Sequence, residues 1–142
     1  MSEPTEVREI RINPIVPSES VLVATARSMR PKKAEELAPR DTRKHVDTCP
    51  FCRGNEHKTP PVIMSYPPDS AEWEIRMVEN LYPVLGNDRE QTGFNFGLQQ
   101  TIDGYGRHEV IIDHYEHGAA LFEMSEEHLT ALFGVFQTRM RQ

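Results

Sequence analysis

Cys49 and Cys52 are the only thiols in the chain, and they stand in the sequence CPFCRGN. A C-x-x-C pair puts two thiolates on one short loop. That arrangement serves a tetrahedral metal or a dithiol–disulfide cycle. Two thiolates cannot close a tetrahedral zinc site, so the remaining ligands must come from distant sequence. The candidates are His45, His57, His108, His114, His117 and His128. His117, in DHYEHGA, follows the most apolar strand-like segment, where a rigid element could present it. His45 and His57 lie in the same loop as the cysteines. The redox reading is weakened because no helix opens after Cys49 to lower its pKa. Unliganded thiols are the third reading.

Two further groups could handle phosphate. The stretch ARSMRPKK, Ala26 to Lys33, holds Arg27, Arg30, Lys32 and Lys33, the densest basic cluster in the chain. A planar guanidinium binds phosphate bidentately, so two arginines at a strand end could grip a diphosphate. A solvated basic loop is the plainer alternative. Asn80, in VENLYPVLGND, stands where a strand gives way to a loop, and its amide both donates and accepts. An ordinary turn residue is the alternative there. No glycine-rich phosphate loop of the P-loop or dinucleotide kind is present, and GYGRHEV leads into a strand rather than a helix.

The elements that must position these groups follow from periodicity. Glu6 to Ile12 alternates polar and apolar residues and predicts a strand; Val21 to Ala24 predicts a second, paired with it as a hairpin. From Ser28 to about Ser70 the pattern dissolves among seven prolines, which block helix and ladder alike. A loop of that length needs something to pin it, and a metal at Cys49 and Cys52 would do so. Trp73 to Glu79 predicts a third strand, Leu81 to Asp103 a loop, and Gly106 to Asp113 a strand buried on both faces. Ser125 to Gln142 predicts an amphipathic helix capped by Ser125. Its core face is Leu129, Leu132, Phe133, Phe136 and Met140, with His128 outside. The sum is an α+β fold with a mostly antiparallel sheet.

Composition narrows the class. At 142 residues the chain is one domain or part of one. Hydrophobic content of 37% and eleven prolines imply long irregular segments on a modest core. A net charge of −6 argues against a general nucleic-acid binder. The opening MSEPTEVREI is charged, with no signal-peptide pattern, and no run reaches membrane-span length. The expectation is a soluble, cytoplasmic protein, where a reducing environment leaves the cysteine pair to metal or redox chemistry rather than to a structural disulfide.

The segments INPIV, ESVLVATARSMRP, CPFCRGN, TPP, VENLYPVL and GRHEVIID, then EHGAALFEMSEE, occur in this order. As an ordered set running over nearly the whole chain, they resemble the amino-terminal part of the galactose-1-phosphate uridylyltransferase family, in the histidine-triad superfamily. The resemblance implies a histidine-triad-like antiparallel sheet with flanking helices, duplicated within a full-length subunit. It implies an enzyme of galactose metabolism that moves UMP between UDP-glucose and a hexose 1-phosphate through a uridylyl-histidine. An ADP-sugar phosphorylase-type relative is the enzyme alternative, and a non-catalytic, zinc-stabilised nucleotide-binding domain is the other.

Carried onto this chain, Cys49, Cys52 and His117 match the family's zinc ligands, and Arg27, Arg30 and Asn80 match its nucleotide contacts. Where some relatives have Asn-Asp, this chain has Asn80-Leu81, so no carboxylate contact follows there. The family's nucleophile lies in a His-Pro-His motif whose first histidine is also the fourth zinc ligand. This sequence contains no H-x-H. Residues 1–142 are therefore expected to form an amino-terminal domain truncated before the catalytic strand, with an incomplete sheet, no catalytic residue of its own and no activity alone. A homodimer is the oligomer that the resemblance implies.

Overall fold

The computed structural model describes residues 6–30, 40–88 and 90–142. Lys32 and Lys33 of the basic cluster lie outside them. Seven strands come in chain order: β1 Arg8–Ile12, β2 Ser20–Ala24, β3 Val62–Tyr66, β4 Ile75–Glu79, β5 Gly93–Phe96, β6 Gln99–Asp103 and β7 Glu109–Ile112. One helix, α1, spans Glu126–Met140. The fold class is α+β, as expected. The chain divides into two compact units, one of Met1–Lys33 with Asn80–Glu109, the other of Ala34–Glu79 with Val110–Gln142.

The first unit carries a four-stranded sheet in the order β2-β1-β6-β5. All three of its pairings are antiparallel, with Ile10 opposite both Leu22 and Ile102. The β1–β2 hairpin stands as the alternation implies. The segment 81–103, expected as a loop, instead holds β5 and β6. Phe96 pairs with Gln99 across a two-residue Gly97-Leu98 turn. Two short runs separated by two residues, one of them glycine, are the sequence sign of a hairpin. The sign is faint because all four residues of β5 are exposed, so no apolar stripe marks the strand.

The second unit carries a three-stranded sheet, β3-β4-β7. β3 lies inside the proline-rich stretch that was expected to be irregular. Pro60-Pro61 and Pro67-Pro68 bracket VIMSY rather than interrupt it, and a proline at a strand's boundary costs no ladder bond. β4 is central, and four of its five residues are buried. Successive side chains point to opposite faces. On one face Ile75 packs with Ile111, Leu132 and Val135, and so seats α1. On the other, Val78 packs with Ile112, Val110, Trp73 and Tyr115. Both faces of β7 are thus covered, although the strand is only Glu109–Ile112. Trp73 stands two residues ahead of β4 rather than within it. Among the described residues, every fully buried apolar side chain belongs to this unit.

Ser125 caps α1, its hydroxyl accepting from the His128 N–H at 3.1 Å. The buried stripe is His128, Leu132 and Val135. Phe133 and Met140, expected inside, are 62% and 87% exposed. His128, expected outside, is 8% exposed, with Nε2 at 2.7 Å from the Asp113 carbonyl oxygen and Nδ1 at 3.5 Å from Glu74 Oε2. A helix wheel shows that a stripe exists. The shape of the sheet beneath decides which of two neighbouring stripes faces it.

Candidate functional site

The cysteine loop lies on the face of β4 opposite α1. Arg76, 3% exposed, points to that side and donates to Pro50 O at 3.3 Å and to Thr59 Oγ1 at 3.1 Å. A strand side chain therefore holds the carbonyl between the two cysteines. Asn55 closes the loop from within, its amide donating to Val46 O at 3.1 Å and to Cys49 O at 2.7 Å. Gly54, at φ 92°, makes the turn that brings Asn55 back under Cys49. The Gly-Asn after the second cysteine is thus part of the loop's construction.

Glu56 ties the loop to the core. Its Oε1 accepts from Gly54 N–H at 2.9 Å and from the Trp73 indole at 2.7 Å. Burial pushes the Glu56 carboxyl up, but these donors outweigh burial and hold it below its ordinary value. A depressed folded-state pKa contributes stability that is present above the unfolded value, near 4.3, and is lost as pH falls through the folded value. Glu56→Ala also strands the indole N–H, at a cost of roughly 1–3 kcal/mol. Denaturant unfolding at pH 7 and pH 3 should show that deficit at pH 7 and a smaller one at pH 3.

Cys49, Cys52 and His117 come together, their donor atoms all within 4.8 Å of one another. Cys52 Sγ stands 3.6 Å from His117 Nδ1. A tetrahedral zinc with Zn–S near 2.3 Å and Zn–N near 2.0 Å has S···N edges of about 3.5 Å and S···S edges of about 3.8 Å. The donor set fits zinc, and the 3.6 Å edge between Cys52 and His117 matches the tetrahedral one. Burial raises the Cys52 thiol pKa, and its Cys49 neighbour adds to that effect.

Among the described residues, no other histidine joins this group. His45 Nε2 lies 3.2 Å from Asp47, and His57 lines a cleft with Arg53, Trp73 and Arg76. His114 stacks on Tyr115 at 4.5 Å and stands 4.8 Å from the ring of His128.

His108 belongs to the first unit, and there it meets Asn80. Val84 N–H donates to His108 Nδ1 at 3.0 Å, and Tyr82 N–H donates to Asn80 Oδ1 at 2.8 Å. Asn80 Nδ2 stands 3.1 Å from His108 Nε2. With Nδ1 accepting, a neutral ring carries its proton on Nε2. The Asn80 amide nitrogen is then a second donor beside it. Burial lowers the His108 pKa, and the charges of Arg27 and Arg30 lower it further. Sequence reasoning weighed His108 only as a metal ligand. Its spacing from Asn80 carries no signal, because the contact exists only once the chain has folded.

No protein-family model matches the chain. ADP-glucose phosphorylase of Arabidopsis thaliana is 29% identical over 136 residues, which cover 94% of this chain and 38% of that protein. The crystal structure of an ADP-glucose phosphorylase from the same plant, with bound ADP-glucose, matches at a TM-score of 0.58 and 26% identity. That match covers 94% of this chain and 37% of the other. The X-ray structure of a GALT-like protein, again from Arabidopsis thaliana, matches at 0.57 and 27% identity over 70% of this chain and 31% of the other. Fold and likeness together make the chain similar to nucleotide-sugar enzymes, whose architecture it shares in part. More narrowly, the chain is related to ADP-glucose phosphorylase and GALT-like proteins, as the ordered motifs imply, and it spans 38% of the length of the curated relative. No helix among the described residues is long and apolar enough to cross a membrane.

Proposed function

We propose that this chain supplies a zinc centre and a nucleotide-phosphate site to an enzyme that transfers a nucleoside monophosphate from a nucleotide sugar to a phosphate acceptor. The observation that carries this reading is the pair of donors, Asn80 Nδ2 and His108 Nε2–H, set beside the charges of Arg27 and Arg30. Two adjacent donors in a cationic surrounding suit an anionic oxygen. In this reading Arg27, Arg30 and Asn80 contact the nucleotide, and Cys49, Cys52 and His117 hold the metal. A histidine nitrogen attacks the α-phosphorus, the sugar phosphate leaves, and an acceptor oxygen then takes the nucleotidyl group from the histidine. That histidine is not in these 142 residues, which we assign as the amino-terminal domain of the enzyme. Zinc supplies a structural clamp on the loop. Thiolate ligands suit a reducing compartment, and we assign the protein to the cytoplasm, as a homodimer.

Two donors are in play. UDP-glucose, with a hexose 1-phosphate as acceptor, is the reading of the ordered motifs. ADP-glucose is the reading favoured by the relative that covers 94% of this chain. Titration calorimetry of the chain with each nucleotide sugar separates them. Arg27→Ala or Asn80→Ala should weaken whichever binds by roughly ten- to a hundredfold, the loss of a hydrogen bond to a charged group. The chain alone should turn over neither. Binding unchanged in both variants would remove the nucleotide site, and turnover by the chain alone would remove the missing-nucleophile argument.

A further inference from the structure

We infer that Asp41 is the positioning residue of the metal centre, fixing which nitrogen of His117 faces the metal. The inference rests on reading Cys49, Cys52 and His117 as zinc ligands. His117 Nδ1 points to Cys52 Sγ at 3.6 Å, while Nε2, on the far side of the ring, lies 3.3 Å from Asp41 Oδ2. A carboxylate only accepts, so it holds the single proton of a neutral imidazole on Nε2 and leaves the Nδ1 lone pair toward the cysteines. Partners of this kind orient metal-binding histidines and raise their basicity.

Asp41 is itself held in place. Arg43 Nε lies 2.9 Å from Oδ1 and 3.1 Å from Oδ2, and the Arg43 N–H donates to Oδ1 at 3.1 Å. The surrounding strap, residues 40–44, grips the backbone on both sides of the ring. His117 N–H donates to Lys44 O at 2.8 Å, Arg40 Nη2 donates to Gly118 O at 2.6 Å, and Lys44 Nζ pairs with Glu116 at 3.2 Å. Gly118 sits at φ 69°, and a Cβ there would overlap the Asp41 carbonyl oxygen, so glycine lets the strap close. The carboxylate is 37% exposed, and as a surface ion pair alone it would contribute little. Its effect belongs to the metal-bound state.

The test is competition for zinc between the chain and a chelator of known affinity, for wild type, Asp41→Asn and Asp41→Glu. Asn is nearly isosteric and keeps the strap's shape while removing the charge. Asp41→Asn should bind zinc ten- to a hundredfold more weakly, and Asp41→Glu should recover part of the loss. The second readout is ¹⁵N NMR of the zinc-loaded chain, where His117 should show a metal on Nδ1 and a proton on Nε2. A merely structural role would lower thermal stability without moving affinity. Zinc affinity of Asp41→Asn within twofold of wild type, or metal on Nε2, overturns the inference while leaving the metal centre standing. A wild-type chain that takes up no zinc overturns both.

Discussion

Cys52→Ser should release zinc from the folded chain and loosen the whole loop from Val46 to Thr59. Cys52 is 1% exposed, among the most buried side chains described, so its sulfur cannot be replaced by water without opening the loop. A structural zinc site is worth about 10–16 kcal/mol over four ligands, so one lost ligand costs roughly 2.5–4 kcal/mol, or two to three orders of magnitude in affinity. The oxygen of serine is a harder, less acidic donor and restores little of this. The measurement is zinc content by elemental analysis beside thermal unfolding. About one zinc per wild-type chain, with the variant metal-free and melting lower, is the expected result. His117→Ala should behave in the same way, because its ring supplies a donor of equal rank. A variant that keeps its zinc would show that Cys52 is only packed, and the loop would then be held by Arg76 and Asn55 alone.

Leu132→Ala should cost about 2–5 kcal/mol, against less than about 0.5 kcal/mol for Phe133→Ala. Leu132 is 1% exposed and packs with Ile75 and Val135, where α1 meets β4. Truncating it leaves a cavity at the centre of that contact. Phe133 is 62% exposed and meets Phe136 ring to edge at 6.0 Å, so its loss opens no cavity. The helical periodicity alone places both residues on the core face. Urea unfolding of the two variants decides between a face centred on Leu132 and Val135 and one centred on Leu132 and Phe133. A cost of several kcal/mol for Phe133→Ala would favour the latter.

The sequence by itself determined the groups that chemistry needs. A thiolate pair two residues apart is a local fact, and its need for a third ligand follows from zinc's preference for four. The β1–β2 hairpin and α1 with its Ser125 cap were equally legible, because each depends on residues near one another in the chain. The order of the motifs carried the likeness to nucleotidyltransferases.

What only the tertiary structure decided depends on residues far apart. β3 was hidden because prolines at its ends look like prolines within it. β5 was hidden because an exposed strand has no apolar stripe. Spacing alone leaves six histidines open as the third ligand; the likeness of the motifs points to His117, sixty-five residues from Cys52, and the fold brings its Nδ1 within 3.6 Å of the sulfur. Asp41 behind it, and His108 beside Asn80, had no signature at all. A carboxylate that orients a ligand, or a ring that shares a donor pair, is defined by where its partner's second nitrogen points. That direction is fixed by packing, which the spacing of residues along the chain does not encode.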